Sequence, residues 1–183
     1  MWITFLWGKV GESGVILYFY SELLNKGCIM NHFLGEFECK LDAKNRMVLP
    51  AALKRQMPDV EREGLVINRG FEKNLVIYTR QEWRKTMEEL GRLNPFDRKS
   101  REFIRQFSRG ATELNLDAAG RVLIPKSLSS YAGISAEVVL SCQINKIEVW
   151  DKVAYEAQWE YDGEGFAALA EEVMGSLKGG EDV

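Results

Sequence analysis

The sequence predicts an α+β protein, mainly β, in which two copies of a small β-rich half-domain pair as an intrachain pseudo-dimer with a barrel-like β core and flanking helices. Three observations predict it. The first is a gap-free internal repeat: Glu38-Cys39-Lys40-Leu41-Asp42-Ala43-Lys44-Asn45-Arg46-Met47-Val48-Leu49-Pro50 aligns on Glu113-Leu114-Asn115-Leu116-Asp117-Ala118-Ala119-Gly120-Arg121-Val122-Leu123-Ile124-Pro125 at an offset of 75 residues. Glu, Leu, Asp, Ala, Arg and Pro recur identically within it, and the three residues before each Pro are apolar. The second is that the likeness continues downstream. Leu65-Val66-Ile67 answers Val138-Val139-Leu140, and Leu75-Val76-Ile77-Tyr78 answers Ile147-Glu148-Val149-Trp150, the self-similarity of a duplicated unit. The third is size, because one such unit is too small to bury two hairpins alone and is completed by pairing with the other copy.

Within each copy a strand ends at Asp42 or Asp117, a short polar turn follows, and an apolar run from Met47 or Val122 forms a second strand, so that a hairpin is expected. Pro50 and Pro125 stand where a strand stops and a helix starts, since Pro is tolerated in the first helical turn. The spacing of Leu53 and Met57 predicts a short helix over Ala51–Met57. Gly64 and Gly133 punctuate the return to a second hairpin, whose arms in the first copy are Leu65–Asn68 and Leu75–Tyr78 around a turn at Gly70 and Asn74. Between the copies, Trp83, Met87 and Leu90 lie at helical spacing within Gln81–Arg92. Asp97 is placed to cap a second helix with Phe103, Ile104 and Phe107 inside. After the second copy, Phe166–Leu177 reads as a third helix. Its Phe166, Leu169, Val173, Met174 and Leu177 form one apolar side, as in a packed helix. The resulting division is 30–80 for the first repeat, 81–109 for a helical connector, 110–155 for the second repeat and 156–183 for an acidic helix and tail.

The 183 residues are 46% hydrophobic and 28% charged, enough apolar material for a buried core. Cys28, Cys39 and Cys142 form no CxxC pair and leave an odd one over, which argues against a disulfide framework or zinc ribbon and fits a reducing cytoplasm. Charge is unevenly placed. Residues 151–183 hold nine acids against Lys152 and Lys178, a balance of −7, whereas residues 1–29 balance to zero. Because the whole chain carries −3, residues 30–150 carry +4, and a phosphate-binding surface depends on that local distribution rather than on the total.

Residues 1–29 contain two apolar runs, Trp2 to Trp7 and Val15 to Tyr20, both too short to span a membrane. Lys9 and Glu12 interrupt what a signal peptide would keep continuous, and Asn25 and Lys26 stand where a lipoprotein signal before Cys28 has small uncharged residues. The reading adopted is an N-terminal extension upstream of a natural start at Met30, since repeat-like organisation begins at Phe33.

The run Phe33-Leu34-Gly35-Glu36-Phe37-Glu38, the two Asp-x-x-x-Arg segments from Asp42 to Arg46 and from Asp117 to Arg121, and Phe107-Ser108-Arg109-Gly110-Ala111 before the second of them together resemble the MraZ family, a branch of the swapped-hairpin AbrB-like folds. The resemblance covers about residues 30–155. It implies a sequence-specific DNA-binding transcription regulator, cytoplasmic and nucleoid-associated, acting on the promoter of the division and cell-wall gene cluster. It also implies a ring-like homo-oligomer on repeated double-stranded DNA elements, with no cofactor, no small-molecule substrate and no membrane partner. Carried over by position, the DNA contacts are Lys44, Asn45 and Arg46, with Arg121 in second place. Asn45 departs from the family's commoner Gly, but Asn tolerates left-handed backbone geometry and should preserve the turn.

A structural reading stands beside each of these. Arg46 and Arg121 are spaced to pair with Asp42 and Asp117 and so fix the turns, a role needing no ligand; it weighs more for Arg121, whose copy has Ala119 in place of Lys44. The guanidinium of Arg46 also suits guanine edges or phosphate, with Lys44 adding charge. Arg92, Arg98, Lys99, Arg101, Arg105 and Arg109 form either a second phosphate-tracking surface or a solvated helix face. His32 lacks companions at metal-ligand spacing. Glu36, Glu38 and Asp42 alternate as the polar face of a strand. Trp83, Trp150 and Trp159 read as core or interface aromatics rather than base-stacking platforms. No Gly-rich phosphate loop, nucleophile elbow or Ser-His-Asp set occurs, so the reading is of a non-enzyme with neither catalytic residues nor a metal site. The competing reading, from another class, is an AbrB-like protein-interaction module of antitoxin type, in which the acidic tail wraps a partner.

Overall fold

A computed structural model describes residues 32–158 and 163–178. The extension over residues 1–29 and Trp159 lie outside the described residues. In chain order the elements are β1 (Glu36–Lys40), β2 (Arg46–Val48), α1 (Ala51–Arg55), α2 (Val60–Glu63), β3 (Leu65–Arg69), β4 (Leu75–Thr79), α3 (Arg80–Leu90) and α4 (Arg98–Phe107). The second copy repeats the plan with β5 (Thr112–Leu114), β6 (Arg121–Leu123), α5 (Lys126–Ala132), β7 (Glu137–Gln143), β8 (Lys146–Asp151), α6 (Lys152–Glu156) and α7 (Gly163–Lys178). The fold is α+β.

Local chemistry sets the boundaries. Pro50 and Pro125 precede α1 and α5. Thr79 caps α3 by accepting the Glu82 amide, and Asp97 caps α4 by accepting the Ser100 amide, each satisfying a backbone donor that the first helical turn leaves without a partner.

Six strands form an antiparallel sheet in the order β1-β7-β8-β4-β3-β5, and β2 pairs with β6 in a separate two-stranded ribbon. The order of the large sheet reads the same from either end once each strand is exchanged for its repeat counterpart. A pseudo-twofold axis therefore passes between β4 and β8, where Ile77 faces Ile147 and Leu75 faces Val149. It also passes through the ribbon, whose central pair is Met47 and Val122. Both outer contacts of the sheet cross between copies: β1 of the first lies on β7 of the second, and β5 of the second lies on β3 of the first. Met47, Leu53, Val122, Ile124, Ile77 and Leu140 are fully buried beneath these layers, each such side chain contributing roughly 1.5–3 kcal/mol of transfer free energy.

Three expectations change. The first hairpin of each copy exists only as a turn: Leu41 bridges Met47, and the Asp42 amide donates to the Arg46 carbonyl, after which the arms part. The reason is that β2 takes its ladder partner from the other copy. Among the described residues no sheet closes into a barrel, because β2 and β6 satisfy each other and the large sheet ends on β1 and β5. The apolar residues of two helices are also less covered than their periodicity suggests. In α4, Phe103 is 42% exposed while Ile104 and Phe107 are half-buried. In α7, Phe166 and Met174 are 66% and 58% exposed, so the apolar side of this helix is open to solvent rather than covered as expected.

Candidate nucleic-acid interface

The two Asp-x-x-x-Arg segments fold into the same device. In the first, the Asp42 carboxylate accepts from the backbone amides of Lys44 (2.8 Å) and Arg46 (2.9 Å) through Oδ1, while its Oδ2 receives both Nε and Nη2 of Arg46 at 2.7 Å. In the second, Asp117 accepts from the amides of Ala119 (2.9 Å) and Arg121 (3.0 Å) and from Arg121 Nε (2.8 Å). These bonds to the ionised form hold the Asp42 carboxyl down at about 2, with the Arg46 side chain the largest cause and its backbone amide the next. Asp117 is lowered as well, chiefly by the Arg121 amide. In both turns the Asp thus bonds to the backbone amide and to the side chain of the Arg four residues on.

Each turn pivots on a residue with positive φ, Asn45 at 60° and Gly120 at 70°. What meets that residue comes from the other copy. Asn45 Nδ2 donates to Ser129 Oγ at 3.1 Å, and a Cβ at Gly120 would lie 3.1 Å from Lys54 Nζ. Lys54 and Ser129 are themselves related by the repeat offset. The first turn therefore combines Asn with a small hydroxyl neighbour, and the second combines Gly with a long cation.

Lys44 is exposed at the tip of the first turn, and among the described residues no ion pair involves its ammonium. Arg46, half-buried, keeps its Nη1 amine and one Nη2 hydrogen outside the pairing with Asp42. The ribbon also brings the two arginines together, which the sequence did not reveal. Arg46 faces Leu123 and Val48 faces Arg121, and residues that face each other, or stand two apart on one strand, share a face. With Met47 and Val122 turned into the core, the outward face consists of Arg46, Arg121, Val48 (58% exposed) and Leu123 (56% exposed). Such diagonal positions lie about 7–8 Å apart. Pattern reading saw each Arg within its own turn; alternation outward of the buried Met47 and Val122 was the signal available for the shared face.

The remaining candidates fall elsewhere. Glu38 pairs with Lys152 at 2.7 Å and Glu36 accepts from the Tyr155 hydroxyl, the polar strand face expected. Arg101 donates to the carbonyls of Pro95 and Phe96, at 2.9 and 2.7 Å. His32 is exposed. Among the described residues, no group of three His, Cys, Asp or Glu side chains is placed to hold a metal, and no helix is long and apolar enough to cross a membrane.

The fold and site define a class: a duplicated β-rich half-domain whose copies exchange strands and present two Asp-buttressed arginine turns on one ribbon. A family described as "MraZ protein, putative antitoxin-like" matches residues 32–106 and again residues 107–176. Proteins called Transcriptional regulator MraZ are 45% identical in Christiangramia forsetii (80% of this chain, 96% of that protein), 41% in Flavobacterium psychrophilum (83% and 98%) and 38% in Cytophaga hutchinsonii (81% and 99%). The chain belongs to the MraZ family. A solution structure of PHS018 from Pyrococcus horikoshii matches 63% of this chain and 86% of that chain at 16% identity, with a TM-score of 0.28.

Proposed function

We propose that this chain is a sequence-specific DNA-binding transcription regulator, not an enzyme, that works in the cytoplasm on promoter DNA of its own division and cell-wall gene cluster. Its relatives carry the name of a transcriptional regulator, and the observation that supports the reading most is the outward ribbon face. A two-stranded β-ribbon fits the DNA major groove, and this one carries Arg46 and Arg121 on its solvent side with Lys44 beside them. In this reading Asp42 and Asp117 orient the arginines, so that little side-chain entropy is lost when the unused N–H groups meet a base edge or phosphate. Lys44 supplies free charge, Asn45 sets the shape of the tip, and Arg121 is the lesser contact because Ala119 replaces the second cation. The exchange of β1, β5 and the ribbon strands between copies favours placing the fold among the swapped-hairpin AbrB-like folds. Affinity comes from several copies in a ring-like oligomer engaging successive DNA repeats, since linkage makes each further contact effectively intramolecular.

The test is binding of the full chain, wild type and Arg46→Ala, to promoter DNA with one, two or more repeats across a salt series. The expected result is repeat-dependent, salt-sensitive binding that Arg46→Ala weakens by about 5- to 150-fold per engaged turn, the range of a lost two-pronged base contact of ~1–3 kcal/mol. Equal binding by both proteins would remove the first turn from the interface. The antitoxin-type alternative draws on one observation, the exposed apolar side of α7, which calls for a protein partner rather than DNA.

A further inference from the structure

We propose that the partner of α7 is a second copy of this chain, and that α7 seats in a groove formed by α4 and the β3–β4 turn of that copy. The proposal deepens the reading of a ring-like oligomer and rests on it.

The donor side is an amphipathic helix whose apolar side is open to solvent. Phe166, Leu169 and Met174 are all at least 42% exposed, and their spacing puts them on one side of α7, with Glu171 and Glu172 on either flank. An exposed apolar stripe with a charged rim marks a surface for association. The acceptor side is a groove of about 520 Å³. Its ring wall is Phe71, Phe103 and Phe107, with centroids 6.1–6.5 Å apart. Phe107 in turn stacks on Trp83 at 5.8 Å, and Asn68 Nδ2 holds the carbonyl of Phe107 at 2.7 Å. The wall is therefore fixed from behind, yet Phe71 at its lip is 83% exposed. A rigid, half-open aromatic wall is a preformed seat for large apolar side chains.

Charge selects the occupant. Arg69 and Lys73 lie over the Tyr131 ring, at 4.5 and 5.1 Å from its centroid, and Tyr131 and Arg109 line the groove. Among the described residues, none of Arg69, Lys73 and Arg109 is in an ion pair. The acids opposing them at the groove are Glu72 and Glu148, the latter paired with Lys146 at 3.2 Å. Glu171 and Glu172 on α7 supply the missing sign, consistent with a tail of −7 on a chain whose residues 30–150 carry +4. Topology fixes the geometry. The groove belongs to the helices after the first copy and α7 follows the second, so each chain has one donor and one acceptor. A contact of two different surfaces propagates head to tail, and with a suitable rotation closes into a ring.

The experiment measures the mass of the full chain in solution by sedimentation velocity and light scattering. Two variants alter exposed positions, a groove variant Phe71→Glu and a tail variant Phe166→Ser with Leu169→Ser, each checked for an unchanged thermal midpoint. Each alone is expected to fall from the wild-type assembly to a monomer. An equimolar mixture is expected to give a 1:1 heterodimer and stop there, because one intact groove and one intact tail remain. Affinity for multi-repeat DNA should fall by about 10²- to 10⁴-fold in each variant, the range of lost avidity, while weak single-repeat binding persists. An assembly unchanged in either variant, or monomers whose mixture stays monomeric, would overturn the proposal. Wild-type chain that assembles through these surfaces yet ignores promoter DNA would instead sink the regulatory reading and leave the interface standing.

Discussion

Replacing Lys44 with Ala separates electrostatics from folding more cleanly than any other change in the site. The side chain is exposed and in no ion pair among the described residues, so its removal should shift stability by no more than about 0.5 kcal/mol. If its ammonium neutralises one phosphate, it contributes about 0.9 to the slope of log K against log salt. Two engaged chains then contribute about 1.8. Over a fourfold rise in salt, from 50 to 200 mM, that share of the slope amounts to a roughly 12-fold loss of affinity in the wild type that the variant does not suffer. Fluorescence anisotropy with a two-repeat duplex at five or six salt concentrations measures the slope directly, and the variant's line should be shallower while its thermal midpoint is unchanged. Parallel lines for the two proteins would refute the assignment of Lys44 to phosphate, whatever the absolute affinities.

The turn acids give a second check. The folded value for Asp42 is depressed to about 2, so its contribution to stability is fully present above the unfolded carboxylate value near 4 and is lost as pH falls through about 2. Carbon-detected titration should show that low midpoint for Asp42 and a lowered one for Asp117; a midpoint near 4 for Asp42 would mean the Arg46 pairing does not persist in solution. The cross-copy neighbours can be exchanged: Gly120→Asn should destabilise by about 1 kcal/mol, as a side chain is forced into the left-handed region beside Lys54, and adding Lys54→Ser should recover much of it by recreating the Asn45–Ser129 contact. No recovery in the double variant's thermal midpoint would show that the two turns are not interchangeable. Burial pushes the thiols of Cys39 and Cys142 up to about 11, so both should react with a disulfide reagent at pH 8 far more slowly than in the unfolded chain.

Much of the architecture was legible because it is repeated. The 75-residue offset foretold the duplication, and the paired Pro, the Asp97 cap and the β3–β4 arms followed from local chemistry that needs no knowledge of the rest of the chain. What escaped were pairings across the pseudo-twofold axis. Asp42 to Arg46 carries every local sign of a hairpin turn and does form one, but no local sign tells β2 to prefer β6 to β1. The shared face of Arg46 and Arg121 depends on that same non-local choice. Helix periodicity reported correctly that α4 and α7 are amphipathic. It carries no information about whether the covering surface belongs to the same molecule, and here Phe71, Phe103 and Phe166 remain open to solvent.

Fusion of the two copies in one chain has a consequence for the kind of target the ribbon can match. A dimer of two identical chains presents the same turn twice across a true twofold axis, and its preferred target is a palindrome. In this ribbon one end offers Lys44, Asn45 and Arg46 and the other Ala119, Gly120 and Arg121. The protein therefore has a polarity: turned end for end on the duplex, it presents a different surface to the same bases. In the head-to-tail assembly proposed above, that polarity would carry from one chain to the next, so the expected target is a set of direct repeats with a fixed orientation toward the gene, and inverting one repeat should disable it as surely as deleting it.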